Sequence, residues 1–139
     1  MTMKITICGS MVFSEKQMET KKKLEELGHE VFVSGFINSY IGKSEEEIEE
    51  RTIFNKKEND AILEHWNYIK NSDAILVLNY ERRGIKNYIG GNTFLEIGFA
   101  HVLGKKIFLM NHIPDMEIYK SEIEAVKPVV IEGDLKRIS

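Results

Sequence analysis

Short, continuously apolar runs alternate with longer amphipathic stretches along the whole chain. The apolar runs cover residues 4–8, 30–33, 74–79, 106–110 and 128–131. Runs of this length without regular polar positions are typical of strands that are buried on both faces of a parallel sheet. The stretches between them have the length and apolar spacing of helices, so the pattern predicts five strands joined by helices.

Capping residues support several of the predicted helices, which cover about 14–27, 44–57, 60–70, 92–103 and 116–126. Ser14 with Gln17 and Ser44 with Glu47 have the spacing of capping boxes, and Gly28 is placed to end the first helix. Parallel strands with right-handed helical crossovers form a doubly wound sheet. The prediction is therefore an α/β, flavodoxin-like sheet of five parallel strands with helices on both faces.

Length, charge and cysteine content limit the classes of protein to consider. With 139 residues and no repeat, low-complexity segment or visible boundary, the chain is expected to form a single domain over 1–139. A net charge of −3 gives no electrostatic reason to expect nucleic-acid binding. Cys8 is the only cysteine, which excludes an intramolecular disulfide and fits a reducing cytoplasm. No apolar run is long enough to cross a bilayer, so we expect a cytoplasmic protein without a membrane partner.

The first candidate ligand-binding segment follows the first strand. Ligands of doubly wound sheets bind beyond the carboxyl ends of the strands, where loops lead into helices. The sequence Cys8-Gly9-Ser10-Met11 lies at such a point, and its glycine allows a ligand to approach the backbone closely. An ordinary strand-to-helix turn would have the same composition, so both interpretations remain open. Cys8 itself is not expected to be a nucleophile, because cysteines in buried strands are common.

The second candidate segment follows Asn79 at the end of the third strand. The loop 80–91 is long for a compact domain, and long loops are often functional. Its Arg82, Arg83 and Lys86 could hold an anionic group, although each could equally be a solvated side chain. Four residues then lead into the next helix and could line a ligand site: Gly90, Gly91, Asn92 and Thr93. Asn92 is expected to be the N-cap of that helix.

Glu96 is the strongest candidate for a catalytic residue. It lies in a helix whose other residues are mostly apolar, and a carboxylate there costs free energy unless it is paired or used in chemistry. His65 precedes the third strand and is expected near the same edge of the sheet, although a lone histidine is more often a packing residue. The chain lacks a P-loop, a dinucleotide glycine fingerprint and metal-ligand spacings, so no metal or organic cofactor is expected.

Four segments in order, covering nearly the whole chain, resemble the nucleoside 2-deoxyribosyltransferase family, which includes the 2′-deoxynucleoside 5′-phosphate N-hydrolases. They are ICGS at 7–10, HWNYIKNSD at 65–73, GNTFLEIGFA at 91–100 and GKK at 104–106. The resemblance implies a flavodoxin-like fold, a homo-oligomer, and cleavage of an N-glycosidic bond. It also implies that Glu96 attacks the anomeric carbon, and that the loops at 9–10 and 90–93 line the pocket for the base and the sugar phosphate.

The chain departs from this family at two positions that bear on catalysis. Family members usually have an aspartate at the position of His65 and an aromatic residue at the position of Thr6. Two hypotheses follow. The first is an enzyme that cleaves or transfers the N-glycosidic bond of a nucleoside or nucleoside 5′-monophosphate, with Glu96 as nucleophile and His65 as proton donor. The alternative is a nucleotide-binding module of the same fold that has lost catalysis.

Overall fold

A computed structural model describes residues 2–139 of the protein. Within that range five strands form one sheet, and every neighbouring pair is parallel. The strands are β1 (Lys4–Cys8), β2 (Glu30–Phe32), β3 (Ala74–Val77), β4 (Lys106–Leu109) and β5 (Val129–Val130). Their order across the sheet is β2-β1-β3-β4-β5, which is the flavodoxin-like order. The fold predicted from the apolar pattern is therefore confirmed.

Helices cover both faces of this sheet. Over residues 2–139 the α-helices are α1 (Ser14–Glu26), α2 (Glu45–Glu58), α3 (Ala61–Lys70), α4 (Gly91–Val102) and α5 (Lys120–Ala125). Alternate residues of β3 enter two separate cores, since Leu76 packs in the cluster that contains Leu24 of α1, and Val77 packs in the other. The second cluster contains Ile69 of α3 and Ile97 of α4. β3 is fully buried for this reason, and its sequence is continuously apolar.

Of the two predicted capping boxes, the one at Ser14 is wrong and the one at Ser44 is confirmed. A 3₁₀ turn at Met11–Phe13 precedes α1, so Ser14 is the first residue of that helix and Phe13 is its N-cap. The Ser14 hydroxyl donates to the Met11 carbonyl, and the Gln17 amide donates to the Ser10 carbonyl at 3.2 Å. Both side chains therefore hold the loop after β1 instead of forming a capping box. The box formed by Ser44 and Glu47 is present at the start of α2.

The start of α4 also differs from the prediction. The helix begins at Gly91 with Gly90 as N-cap, so Asn92 is inside the helix and is not its cap. α5 is shorter than the predicted 116–126, and Gly28 ends α1 with a positive φ of 96° as expected. These differences leave the order of the elements unchanged.

The ends of three central strands lie at one edge of the sheet, as predicted. The Leu78 amide donates to the Cys8 carbonyl at 2.8 Å, and the Met110 amide donates to the Val77 carbonyl at 2.9 Å. The loops that follow β1 and β3 therefore emerge side by side. Among the described residues, no helix has both the length and the apolar character needed to cross a membrane.

Candidate active site

A pocket of about 440 Å³ lies at the carboxyl edge of the sheet. The loop after β1, the loop after β3, the start of α4 and one face of α2 form its walls. This volume is within the range of sites that bind small molecules and cofactors. The position is the one at which doubly wound sheets bind their ligands.

Most of the side chains and glycines that the sequence suggested for ligand binding line this pocket. They are Gly9, Ser10, Met11, Arg82, Arg83, Gly90, Gly91, Asn92 and Thr93. The other predicted residues lie elsewhere: Cys8 and Asn79, at the ends of their strands, are fully buried, and Lys86 is exposed outside the pocket wall. The side-chain amide of Asn79 donates to the Asn111 and His112 carbonyls at 3.0 Å each, so it holds the loop after β4 in place.

Glu96 lies directly behind the pocket wall. It is three residues after Thr93 in α4, and residues three apart lie on the same face of a helix. Thr93 lines the pocket, whereas only 5% of Glu96 is exposed. Burial raises the pKa of the Glu96 carboxyl, and the nearby His65 and Cys8 side chains offset part of this rise.

His65 is an ionisable neighbour of Glu96. Its Nε2 atom lies 3.8 Å from Oε2 of Glu96 and 3.0 Å from the carbonyl oxygen of Ile7. Because a carbonyl oxygen can only accept, the short contact requires Nε2 of His65 to carry a proton. The imidazole is 5% exposed and does not line the pocket. The structure thus brings His65 and Glu96 together, as the sequence suggested, but beneath the wall of the pocket.

Cys8 is the third member of this cluster. Its Sγ atom lies 3.6 Å from Nε2 of His65, and the ligand atoms of Cys8, His65 and Glu96 are all within 4.8 Å of one another. Burial raises the pKa of the Cys8 thiol well above its usual value, and the adjacent Glu96 carboxylate raises it further. The thiol is therefore neutral near pH 7, which agrees with the expectation that Cys8 is not a nucleophile.

The two loop arginines contact acidic residues of α2. Nε of Arg82 lies 3.1 Å from Glu45, its NH2 lies 2.9 Å from Glu49, and Arg83 also pairs with Glu49. NH1 of Arg82 donates to the Ser10 hydroxyl at 3.3 Å. Arg82 is thereby fixed between α2 and the loop after β1. A ligand anion would compete with these carboxylates for the guanidinium groups.

The contribution of α2 to the pocket was missed by the sequence analysis. Its residues in the pocket wall are Ile48, Glu49, Thr52, Ile53 and Lys56. Ile48, Thr52 and Lys56 are spaced four residues apart and therefore share one face of the helix. The first turn of α2 is strongly acidic, and only its contact with the arginine loop reveals which face of the helix lies over the sheet edge. Tyr88 was also missed, and its ring lies 5.4 Å from the Arg82 guanidinium carbon.

Gly9 provides a test of how tightly the pocket floor is packed. A Cβ atom at this buried position would lie 3.1 Å from the carbonyl oxygen of Leu78. We expect Gly9→Ala to lower the free energy of unfolding by about 1–3 kcal/mol, because the backbone at Leu78, directly after β3, must move. Gly98→Ala is the matched control, since nothing lies within 4 Å of the added Cβ in α4. It should raise the free energy of unfolding by roughly 0.5–1 kcal/mol. Chemical denaturation measures both values, and a neutral Gly9→Ala would contradict the packing.

Comparisons with known proteins give a likeness of fold. No family model matches the chain, and no curated protein matches it. Among solved structures, the chain is similar to the CMP N-glycosidase BcmB of Clostridium botulinum, with 20% identity and a TM-score of 0.51 over 92% of this chain and 87% of that one. It is also similar to the 2-deoxyribosyltransferase of Bacillus psychrosaccharolyticus, with 21% identity and a TM-score of 0.49 over 76% of this chain and 70% of that one.

The likeness to the CMP N-glycosidase covers nearly all of both chains, and at 20% identity it shows a shared fold. The protein therefore belongs to the flavodoxin-like class of α/β proteins, with a pocket at the carboxyl edge of its sheet and a buried carboxylate behind that pocket. The fold implied by the resemblance in the sequence is confirmed.

Proposed function

We propose that this protein cleaves the N-glycosidic bond of a nucleoside or nucleoside 5′-monophosphate, by hydrolysis or by transfer of the sugar. The observation that carries the proposal is the position of Glu96, a buried carboxylate one helical turn behind Thr93 of the pocket wall. The fold shared with a CMP N-glycosidase, together with the sequence resemblance around Glu96, supports this reaction class.

In the proposed reaction, a Glu96 oxygen attacks C1′ of the sugar. The bond from C1′ to the base nitrogen breaks, and its electron pair leaves with the base, which takes up a proton. The product is a sugar ester of Glu96, as in retaining glycosidases. Water, or the nitrogen of a second base, then attacks C1′ and releases the Glu96 carboxylate. Water gives hydrolysis, and a second base gives transfer.

His65 is proposed to balance the charge of Glu96 during these steps. Nε2 of His65 lies 3.8 Å from Oε2 of Glu96, and this contact lowers the pKa of Glu96 against the larger effect of burial. The contact therefore stabilises the ionised carboxylate that attacks C1′, and the leaving base takes its proton from water in the pocket. Because His65 lies beneath the pocket wall, this role depends on its contact with Glu96 and not on contact with the base.

The start of α4 and the neighbouring cations support a phosphate-bearing substrate. Among the described residues, no side chain caps the N-terminus of α4, so the amides at 91–93 remain available beside the pocket. Lys56, Arg82 and Arg83 line the same pocket with Glu49 as the facing carboxylate. Backbone amides at a helix N-terminus with nearby cations form a suitable site for a 5′-phosphate.

Charge reversal at the arginines tests this assignment. The double variant Arg82→Glu and Arg83→Glu should weaken binding of a nucleoside 5′-monophosphate by about tenfold or more, since charge-assisted hydrogen bonds contribute roughly 1.5–3 kcal/mol each. Binding of the corresponding nucleoside should change much less. The double variant Lys22→Glu and Lys23→Glu, on an exposed part of α1, is the control for net charge. Calorimetry measures the affinities of the native protein and both double variants for the two ligands, and an equal loss for both ligands in the arginine variant would remove the phosphate from the proposal.

The proposed reaction is tested by incubation with a panel of ribo- and deoxyribonucleosides and their 5′-monophosphates, followed by mass-spectrometric detection of free base. At least one member should release its base at a rate proportional to protein concentration.

A second candidate function, a nucleotide-binding module without catalysis, is favoured by one observation: Glu96 and His65 do not line the pocket. Binding of a nucleotide without release of base from any member of the panel would establish that alternative.

Exposed apolar side chains support the homo-oligomer implied by the sequence resemblance. They lie on three neighbouring helices and include Ile53 and Phe54 of α2, Leu63 of α3, and Leu95 and Val102 of α4. Apolar surface of this kind is commonly covered by a second copy of the same chain. We include a homodimer or larger assembly in the proposal on this basis.

A further inference from the structure

We propose that Cys8, His65 and Glu96 form a binding site for a thiophilic divalent cation, with Zn²⁺ as the ion that suits them best, and that the bound ion blocks the reaction at Glu96. The blocking rests on the proposed function, whereas binding of the metal does not. The sequence gives no sign of such a site, because its ligands come from β1, α3 and α4 and are separated by 57 and 31 residues.

Two of the three distances between donor atoms are close to those of a tetrahedral zinc site, and the third pair, Cys8 Sγ and a Glu96 oxygen, lies within 4.8 Å. With Zn–S about 2.3 Å and Zn–N about 2.05 Å, tetrahedral angles place sulfur and nitrogen about 3.6 Å apart. The distance from Cys8 Sγ to His65 Nε2 is 3.6 Å. Nitrogen and oxygen should lie about 3.3 Å apart by the same geometry, and His65 Nε2 lies 3.8 Å from Glu96 Oε2. A movement of half an ångström in the Glu96 side chain closes that difference.

The chemistry of the donors also favours zinc. A thiolate and an imidazole select Zn²⁺ over Mg²⁺ or Ca²⁺, which prefer oxygen ligands. All three side chains are buried, and of the groups within residues 2–139 this is the cluster in which three potential ligand atoms come together. Three protein ligands leave a fourth position open, as in zinc sites that exchange a water molecule or a ligand.

Charge balance gives a reason for an ion to enter so buried a place. The thiolate of Cys8, the carboxylate of Glu96 and a neutral His65 bind Zn²⁺ to give a complex with no net charge. Before the ion binds, Cys8 is a thiol and the His65–Glu96 pair holds one proton. Binding of the ion releases both of these protons to solvent, and no electron is transferred. His65 Nε2 must give up its contact with the Ile7 carbonyl, which lies 3.0 Å away, so the site binds less tightly than a dedicated structural zinc site.

The ion and the substrate would compete for the same carboxylate. A Glu96 oxygen that coordinates Zn²⁺ cannot attack C1′ of a sugar, so occupancy of the site should lower base release in proportion. Removal of the ion by a chelator should restore it. The cluster then acts as a zinc-sensitive switch immediately behind the substrate pocket.

Titration of the chelator-stripped protein with Co²⁺ and Zn²⁺ tests the site. Co²⁺ should produce a thiolate charge-transfer absorption band in the near ultraviolet at one ion per chain, and Zn²⁺ should abolish the band. Zn²⁺ should also raise the thermal midpoint of the native protein, and a chelator should reverse this rise. Cys8→Ser should remove the band, and His65→Gln should weaken Zn²⁺ binding by at least about tenfold.

His112→Gln is the matched control, because His112 is an exposed histidine 3.5 Å from Glu132, outside the cluster. It should leave the Co²⁺ band and the Zn²⁺ affinity unchanged. The absence of a band in the native protein, or a band that survives Cys8→Ser, would overturn the site. Stoichiometric binding without any effect on base release would overturn the blocking role. If no substrate releases base at all, the proposed function fails, and the Co²⁺ spectrum still decides whether the metal site exists.

Discussion

Glu96→Gln is expected to reduce the rate of base release by about a thousandfold or more, because a preorganised charge that acts in the transition state contributes several kcal/mol to catalysis. The amide keeps the size and the hydrogen-bonding atoms of the carboxylate, but it cannot form the sugar ester and carries no charge to meet the cation that develops at C1′. The affinity for substrate should change by less than about tenfold, since the effect is confined to the transition state.

Glu124→Gln is the control, because Glu124 is an exposed residue of α5. Its rate should equal that of the native protein when the two are assayed side by side. Native turnover in Glu96→Gln would exclude Glu96 from the reaction, whereas an equal loss of affinity and rate would point to a binding role.

The same substitution also has an expected effect on stability. The pKa of Glu96 is raised in the folded state, so protonation of Glu96 favours folding. This contribution to the free energy of unfolding is complete when the pH is below the pKa that Glu96 has in the unfolded chain. It is lost as the pH rises through the pKa that Glu96 has in the folded protein. Glu96→Gln should therefore match the native protein at acidic pH and exceed it at higher pH, with a thermal midpoint higher by roughly 2–8 °C. A midpoint below that of the native protein at pH 8 would show that the charge is compensated.

His65→Gln is expected to have the second largest effect, a fall in kcat of about a hundredfold, which is typical for the loss of a group that stabilises a reacting charge. Glutamine can place a donor near the Ile7 carbonyl, so the substitution removes the imidazole with little change in shape. A residue that merely packs would tolerate this substitution with a smaller loss.

The pH dependence of kcat/KM distinguishes a charge effect of His65 from a structural one. The His65 charge lowers the pKa of Glu96 against the larger effect of burial. Its removal should raise the pKa of Glu96, and because Glu96 must be ionised to attack, the acidic limb of the profile should move to higher pH. The measurement is made with a chelator present, so that no metal occupies the cluster. An acidic limb that stays in place would show that His65 does not influence the ionisation of Glu96.

The strands and their alternation with helices could be predicted from the sequence, because burial on both faces makes a strand continuously apolar. Ile75 and Val77 face one core while Ala74 and Leu76 face the other, so β3 has no polar position. The ends of helices were less predictable. Ser14 has the correct spacing for a capping box, but an additional 3₁₀ turn upstream changes the role of its hydroxyl. Such a change depends on how the loop after β1 packs, and a local sequence pattern does not predict that packing.

The candidate site was only partly visible for a similar reason. Glu96 was recognisable because a carboxylate is exceptional in an apolar helix, and Gly9 because glycine marks a turn at the end of a strand. Three other features depend on contacts between distant parts of the chain. They are the pairing of Arg82 with Glu45 and Glu49, the pocket face of α2, and the clustering of Cys8 with His65. Sequence spacing contains no information on such contacts unless a motif fixes them.

The most direct test of the proposed reaction is to find the sugar ester on Glu96. The reaction with a substrate that releases base is stopped in acid during turnover, and the peptides are analysed by mass spectrometry. We expect a peptide containing Glu96 with the added mass of the substrate's sugar or sugar phosphate, and no such peptide from Glu96→Gln. A sugar adduct on a different side chain, or base release by Glu96→Gln at the native rate, would contradict it.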